Sequence, residues 1–287
     1  MGVRCLITGA NGMLGQAVEQ VFRLLGPFDQ VVALGHAELD ITDQNRAAMV
    51  VKEISPTVIV NCAAYTNVDR AEADRDNAFR VNALGPKVLS GLANEFGARL
   101  IHVSTDYVFS GEAAWPYWEY MARCPTSVYG ESKALGEHFV EEECRDFIIV
   151  RTSWLFGPGG RNFVGTIHAM ATGQKEIKVV NDQRGRPTYT KDLARALLAL
   201  HQVDARGIYH FCNSGDCTWF DLAKKVVELS GTNITLRPIS TEDYPRPAKR
   251  PACSVLATRK YSLVTGHTPR PWTEAVKEYL NLLPEEG

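Results

Sequence analysis

The chain is predicted to be an α/β protein: a doubly wound parallel sheet of Rossmann-like type, followed by a smaller C-terminal α/β substrate lobe. Three observations point there. The apolar run from Val3 to Thr8 breaks directly into Gly9-Ala10-Asn11-Gly12-Met13-Leu14-Gly15 and then into a helical pattern, the order strand, glycine turn, helix. Up to Arg151, short runs that are apolar nearly throughout alternate with helical stretches, as strands buried on both faces of a parallel sheet do. Beyond Gly157-Pro158-Gly159-Gly160 that rhythm loosens. The dinucleotide-binding domain is therefore drawn at residues 1–157, with some later segments returning to it, and the substrate lobe at 158–287.

Taken in order, the first helix runs from Gln16 to Leu25, stopped by Gly26-Pro27, and Gln30 to Leu34 supplies the second strand. Leu39 to Asp43 reads as a brief third strand and turn, and Gln44 to Ile54 as a helix. Pro56-Thr57 introduces a strand from Val58 to Ala64. One charged, alanine-rich helix is expected over Asp69 to Phe96, interrupted if anywhere at Gly85-Pro86. A strand from Arg99 to Val103 ends in Ser104-Thr105-Asp106, a helix begins near Tyr129, and Phe147 to Arg151 is one more strand. The lobe shows helices near Asn162 to Thr172, Lys191 to His201, Trp219 to Leu229 and Trp272 to Leu283, with a Pro/Arg-rich segment from Tyr244 to Pro251.

Composition excludes several classes. With 45% hydrophobic and 22% charged residues and a net charge of −2, the 287-residue chain is an ordinary globular protein with no basic stripe, so nucleic acid is not an expected partner. No apolar stretch is long enough to span a bilayer and no signal peptide is seen, so no membrane association and a cytoplasmic location are expected. Seven cysteines and seven histidines are scattered without ligand spacing, and no metal is assigned.

Two motifs carry chemistry. The glycine series, G-x-x-G-x-x-G, lets the backbone turn sharply, approach a pyrophosphate and aim a helix N-terminus at its charge. Gly9, Asn11, Gly12, Met13, Leu14 and Gly15 are the candidates. The second strand ends at Gly35 without the acid that usually binds the adenosine ribose, so NADPH and NADH both stay open as cofactors. Asp40 and Ile41 are placed to meet the adenine, although Asp40 reads equally as a turn residue. Tyr129 and Lys133 stand four apart, on one helix face. A neighbouring ammonium is expected to lower the phenol's pKa and tune it as a general acid or base. Alternatively the tyrosine packs and the lysine snorkels.

With the glycine loop, Ser104-Thr105-Asp106 and Tyr129-x-x-x-Lys133 in this order, the chain resembles the extended short-chain dehydrogenase/reductases. Asn61-Cys62-Ala63-Ala64-Tyr65-Thr66-Asn67-Val68-Asp69, Arg151-Thr152-Ser153-Trp154 and Asn181-Asp182-Gln183-x-Gly185-x-Pro187-Thr188 narrow the resemblance to the dTDP-4-dehydrorhamnose reductase family within them. That resemblance implies reduction by NADPH or NADH of the C4 ketone of a dTDP-linked 6-deoxy sugar. It makes Tyr129 the proton donor, Lys133 the ribose ligand and Thr105 a hydrogen-bond partner of the substrate oxygen. Ala63, Ala64 and Tyr65 would line the cofactor site, Asp106 and Trp154 would face the sugar nucleotide, and Arg250 would lie near its diphosphate. Thr105 and Asp106 read alternatively as loop caps, Trp154 as core, and Arg250 as solvated surface. Some members dimerise around magnesium held by glutamates, but Gln16-Ala17 offers no carboxylate, so that metal is not carried over and monomer and homodimer both stay open. The competing readings are another nucleotide-sugar ketoreductase or epimerase, and a non-catalytic regulatory subunit like that of methionine adenosyltransferase.

Overall fold

Six parallel strands form the central sheet in the order β2-β1-β3-β4-β5-β10. They are β1 (Arg4–Thr8), β2 (Gln30–Leu34), β3 (Val58–Asn61), β4 (Arg99–Thr105), β5 (Phe147–Thr152) and β10 (Gly207–His210) in this computed structural model, which describes residues 2–173, 176–232 and 234–283. The strand order reverses between β1 and β3. A crevice therefore opens beyond their carboxyl ends, where ligands of doubly wound sheets bind. All seven residues of β4 are buried, as a strand covered on both faces must be.

On one face of the sheet α1 (Met13–Leu25) packs against α8 (Thr190–Gln202), sharing a core with Ile7, Val60, Ile101 and Val150. On the other, α2 (Gln44–Ile54), α5 (Gly85–Phe96) and α6 (Val128–Glu143) cover Leu6, Ile59, Leu100 and Ile149. A separate core joins α7 (Phe163–Gly173), α9 (Trp219–Ser230) and α11 (Trp272–Leu280) with the paired strands β7 (Glu176–Val180) and β12 (Thr235–Ile239). Of the short strands, β6 (Leu155–Phe156), in the segment after β5, pairs with β9 (Thr188–Tyr189), and β8 (Arg184–Gly185) pairs with β11 (Cys217–Thr218). Beyond residue 157, α8 and β10 belong to the layers of the main sheet, as does Tyr261 of α10 (Arg259–Thr265), a helix the periodicity did not reveal.

The structure corrects three sequence expectations. Leu39 to Asp43 is a turn rather than a strand, because the Asp40 carboxylate accepts from both the backbone N–H and the hydroxyl of Thr42 and so competes with strand pairing. The strand from Val58 stops at Asn61, whose amide oxygen turns back to accept the N–H of Ala63 at 3.1 Å. The single helix over 69–96 is four pieces: α3 (Val68–Ala71), α4 (Arg75–Phe79), a π turn (Arg80–Leu84) and α5. Gly85-Pro86 does not break the chain; Pro86 sits at the start of α5, where its missing N–H costs no hydrogen bond. The break lies at 72–74 instead, and Asn82 of the π turn bonds both Tyr65 and Ser132.

Candidate functional site

A cleft of about 770 Å³ opens at the carboxyl ends of β1, β3 and β4. Its floor is the glycine loop. Gly9 takes a φ of +68°, and a Cβ there would stand 2.6 Å from the backbone nitrogen of Ala63, so only glycine lets the turns after β1 and β3 meet. A Cβ at Gly15 would strike the carbonyl of Gly9, which is why α1 can begin so close to the loop. Gly12 caps α1 without a side chain, and a Cβ there would meet only Gly9 O at 3.4 Å. The first turn of α1 thus presents an open, positively polarised end to the cleft. This is a cradle shaped for an anion such as a pyrophosphate.

Of the residues singled out from sequence, Gly9, Asn11, Gly12, Met13, Leu14, Gly15, Asp40, Ile41, Ala63, Ala64, Tyr65, Thr105, Asp106, Tyr129, Lys133 and Trp154 all line this one cleft. Arg250 does not. Its guanidinium is held by the Asp69 carboxylate at 2.9 Å, beside Tyr107, which does line the cleft. Residues that sequence reading passed over also line it, among them Cys62, His36, Val81 and Trp219. Trp219 begins α9 in the other lobe, and no spacing in the chain announces it. It stacks on Trp154 with ring centroids 3.6 Å apart, while Trp154 sits at φ 49°, a region sparsely populated outside glycine.

A carboxylate does lie three residues beyond Gly35. Glu38 Oε2 accepts the Gly35 N–H at 2.9 Å, so a carboxylate stands at the end of β2 after all. A Cβ at Gly35 would meet the Asn11 amide. Glu38→Gln is therefore the cleaner probe of cofactor choice. It is expected to raise the ratio of NADPH to NADH kcat/KM about two- to fivefold, the size of one exposed charge interaction. An unchanged ratio would remove Glu38 from the selection.

The π turn of residues 80–84 fastens the wall of the cleft. Asn82, fully buried within it, accepts the Tyr65 N–H at 2.8 Å and donates to Tyr65 O and to Ser132 Oγ, both at 3.0 Å. The loop after β3 is thereby tied to α6. Ser127 caps α6 by accepting the Gly130 N–H, setting Tyr129 and Lys133 in the first two turns of the helix. The Tyr129 ring meets Tyr107 edge-on at 5.5 Å.

Electrostatics differ from the simple expectation for a tyrosine near a lysine. The Tyr129 phenol is pushed up to about 12 by burial, with the Asp106 carboxylate adding and Thr105 opposing. It is fully protonated at neutral pH, the state a proton donor needs. Lys133 is brought down to about 8 by burial, against the influence of Glu137 and Cys62. Its Nζ donates to Val103 O at 2.7 Å. Asp106 is raised to about 6, burial outweighing the opposing influence of the Ser254 and Thr105 hydroxyls; the Thr105 hydroxyl donates to its Oδ1 at 3.0 Å. A weak acid, a hydroxyl and an ammonium thus converge beside an anion cradle. The arrangement suits proton transfer to an oxygen next to a bound dinucleotide. Among the described residues no helix is long and apolar enough to cross a membrane and no cluster of side chains could hold a metal.

Comparison with known proteins gives the same picture. The spore coat polysaccharide biosynthesis protein SpsK of Bacillus subtilis is 40% identical over 277 residues, covering 96% of each chain. The crystal structure of a dTDP-4-dehydrorhamnose reductase from Clostridium acetobutylicum superposes with a TM-score of 0.94 at 41% identity, over 98% of this chain and 99% of that one. The Bacillus anthracis dTDP-4-dehydrorhamnose reductase in complex with NADP also gives 0.94, at 38% identity, over 99% of this chain and all of that one. The model of the RmlD substrate binding domain matches residues 3–284, and the chain belongs to that family.

Proposed function

We propose that the protein reduces the C4 ketone of a dTDP-linked 4-dehydro-6-deoxy sugar, dTDP-4-dehydrorhamnose in the first instance, to the corresponding alcohol, dTDP-L-rhamnose, with NADPH or NADH. The observation that carries this reading is the meeting of Thr105, Tyr129 and Lys133 on the wall of the cleft whose floor is the glycine cradle. The names of relatives that match along nearly their whole length supply the substrate class. The reduced nicotinamide supplies the hydride. Tyr129 gives its proton to the oxygen that develops at C4, and the Thr105 hydroxyl holds that oxygen. Lys133 binds the nicotinamide ribose, and its positive charge favours the phenolate left on Tyr129. Ala63, Ala64 and Tyr65 flank the dinucleotide, Asp40 and Ile41 meet its adenine, and Asp106 and Trp154 face the sugar nucleotide. Arg250, paired with Asp69, is assigned to the diphosphate side.

Incubating the pure protein with NADPH or NADH and the dTDP-ketosugar tests this directly. One reduced nicotinamide should be lost per ketone consumed. Conversion without net cofactor loss would indicate an epimerase, and no conversion at all would overturn the reading.

The pH profile provides a second check. Lys133 loses its charge as pH rises through about 8, so kcat/KM, which reports free-enzyme groups, is expected to fall on the alkaline side near that value. A profile that stays flat up to about 10, where an ordinary lysine titrates, would remove Lys133 from the mechanism.

A further inference from the structure

Behind Lys133 lies a chain of buried polar groups that the reaction described above does not use. Thr8 on β1, Asn61 on β3 and His102 on β4 are at most 1% exposed. The Thr8 hydroxyl donates to Asn61 Oδ1 at 2.7 Å, and the Ala63 N–H donates to the same oxygen at 3.1 Å. A backbone N–H can only donate, so the orientation of the Asn61 amide is settled: its NH₂ faces His102 Nδ1, 3.1 Å away. Nδ1 must then accept. Burial and the charge of Lys133 hold the His102 imidazole well below its ordinary pKa. The ring is therefore neutral, and its single proton sits on Nε2, which lies 3.5 Å from Lys133 Nζ.

An N–H is no acceptor for an ammonium. Of the other groups facing Lys133, Cys62 is a neutral thiol, pushed up to about 12 by burial. Glu137, one turn along α6, is committed to Arg151 and Arg123. Val103 O satisfies one of the three Nζ donors.

We propose that His102 is a positioning residue: held as its Nε2–H tautomer by Asn61, it denies Lys133 a second inward acceptor and leaves the remaining ammonium donors for the ribose in the cleft. The opposite tautomer would present a lone pair to Lys133 and draw its charge into the core. Thr8 and Asn61 are sealed from solvent, so the chain sets orientation and is not a proton path. The inference rests on the proposed role of Lys133, but the tautomer itself does not.

Two-bond proton–nitrogen correlations on the isotope-labelled full-length protein, with His102 assigned by difference from His102→Leu, read the tautomer directly. Nε2–H is expected at neutral pH, and Nδ1–H would overturn the proposal whatever the activity. Asn61→Asp offers an acceptor to Nδ1–H and reverses the tautomer, while its carboxylate still accepts from Thr8 and Ala63. In that variant the alkaline limb of kcat/KM should move up by about one pH unit and the KM for NADPH should rise about tenfold. His102→Leu provides no acceptor and should leave the limb where it is. If both variants lose activity with the limb unmoved, the network is structural only and the proposal fails. Should Asn61→Asp not fold, the wild-type tautomer decides alone.

Discussion

Tyr129→Phe is expected to lower turnover by about 10²–10⁴, the range for a positioned general acid, while leaving cofactor affinity nearly intact. The hydroxyl is the only part removed. The ring that packs edge-on against Tyr107 stays, as do the Ser127 cap and the α1 cradle. Because the phenol is pushed up to about 12, wild-type Tyr129 carries its proton across the whole neutral range. It should therefore impose no ionisation of its own on the profile below about pH 10, and the alkaline limb should belong to Lys133. Steady-state turnover with saturating NADPH and dTDP-ketosugar, beside a direct cofactor titration, makes the check. Turnover within a few-fold of wild type would remove Tyr129 as donor.

Glu137→Gln is expected to destabilise the fold by about 3–5 kcal/mol, the cost of leaving a buried charge without its partner. Glu137 and Arg151 are both within 1% of full burial and meet through two hydrogen bonds, Nε to Oε1 at 2.9 Å and Nη2 to Oε2 at 2.7 Å. Arg123 adds a third at 2.6 Å. Burial alone would raise the Glu137 carboxyl, yet Arg151 and Arg123 hold it below its ordinary value. The arginine also lies over the Phe109 ring at 4.9 Å, so α6, β5 and the loop after β4 share one anchor. Urea unfolding of the single variant and of Glu137→Leu/Arg151→Met separates pair from packing, since replacing both partners should cost less than orphaning one. A single variant within about 1 kcal/mol of wild type would contradict the assignment.

Much of the site was legible because its residues are bound to local geometry. Gly9, Gly12 and Gly15 are recognisable since a strand, a tight turn and a helix start need them within seven residues. Tyr129 and Lys133 are recognisable because one helical turn brings residues four apart together. The misreadings lie where a side chain redirects the backbone. Asp40 converts an expected strand into a turn through Thr42, and Asn61 ends β3 by bonding Ala63. The expected long helix contains instead a π turn whose Asn82 ties Tyr65 to Ser132. A helical pattern is blind to that extra residue, and π turns gather where a side chain has functional work to do.

By itself, then, the sequence determined the sheet, the glycine turn and the placing of Tyr129 and Lys133 on one helix face, because strand burial, glycine turns and helical spacing act over a few residues at a time. Only the tertiary structure decided what surrounds them. It set Glu38 at the Gly35 N–H, Trp219 against Trp154, Arg250 on Asp69, and His102 between Asn61 and Lys133. Except for Glu38, these pairs are distant along the chain. It also decided the charge states. A lysine four residues away would lower a phenol's pKa in water, but burial pushes Tyr129 up and Lys133 down, since removing water disfavours the charged form of each. Desolvation belongs to the folded molecule, and residue spacing cannot report it.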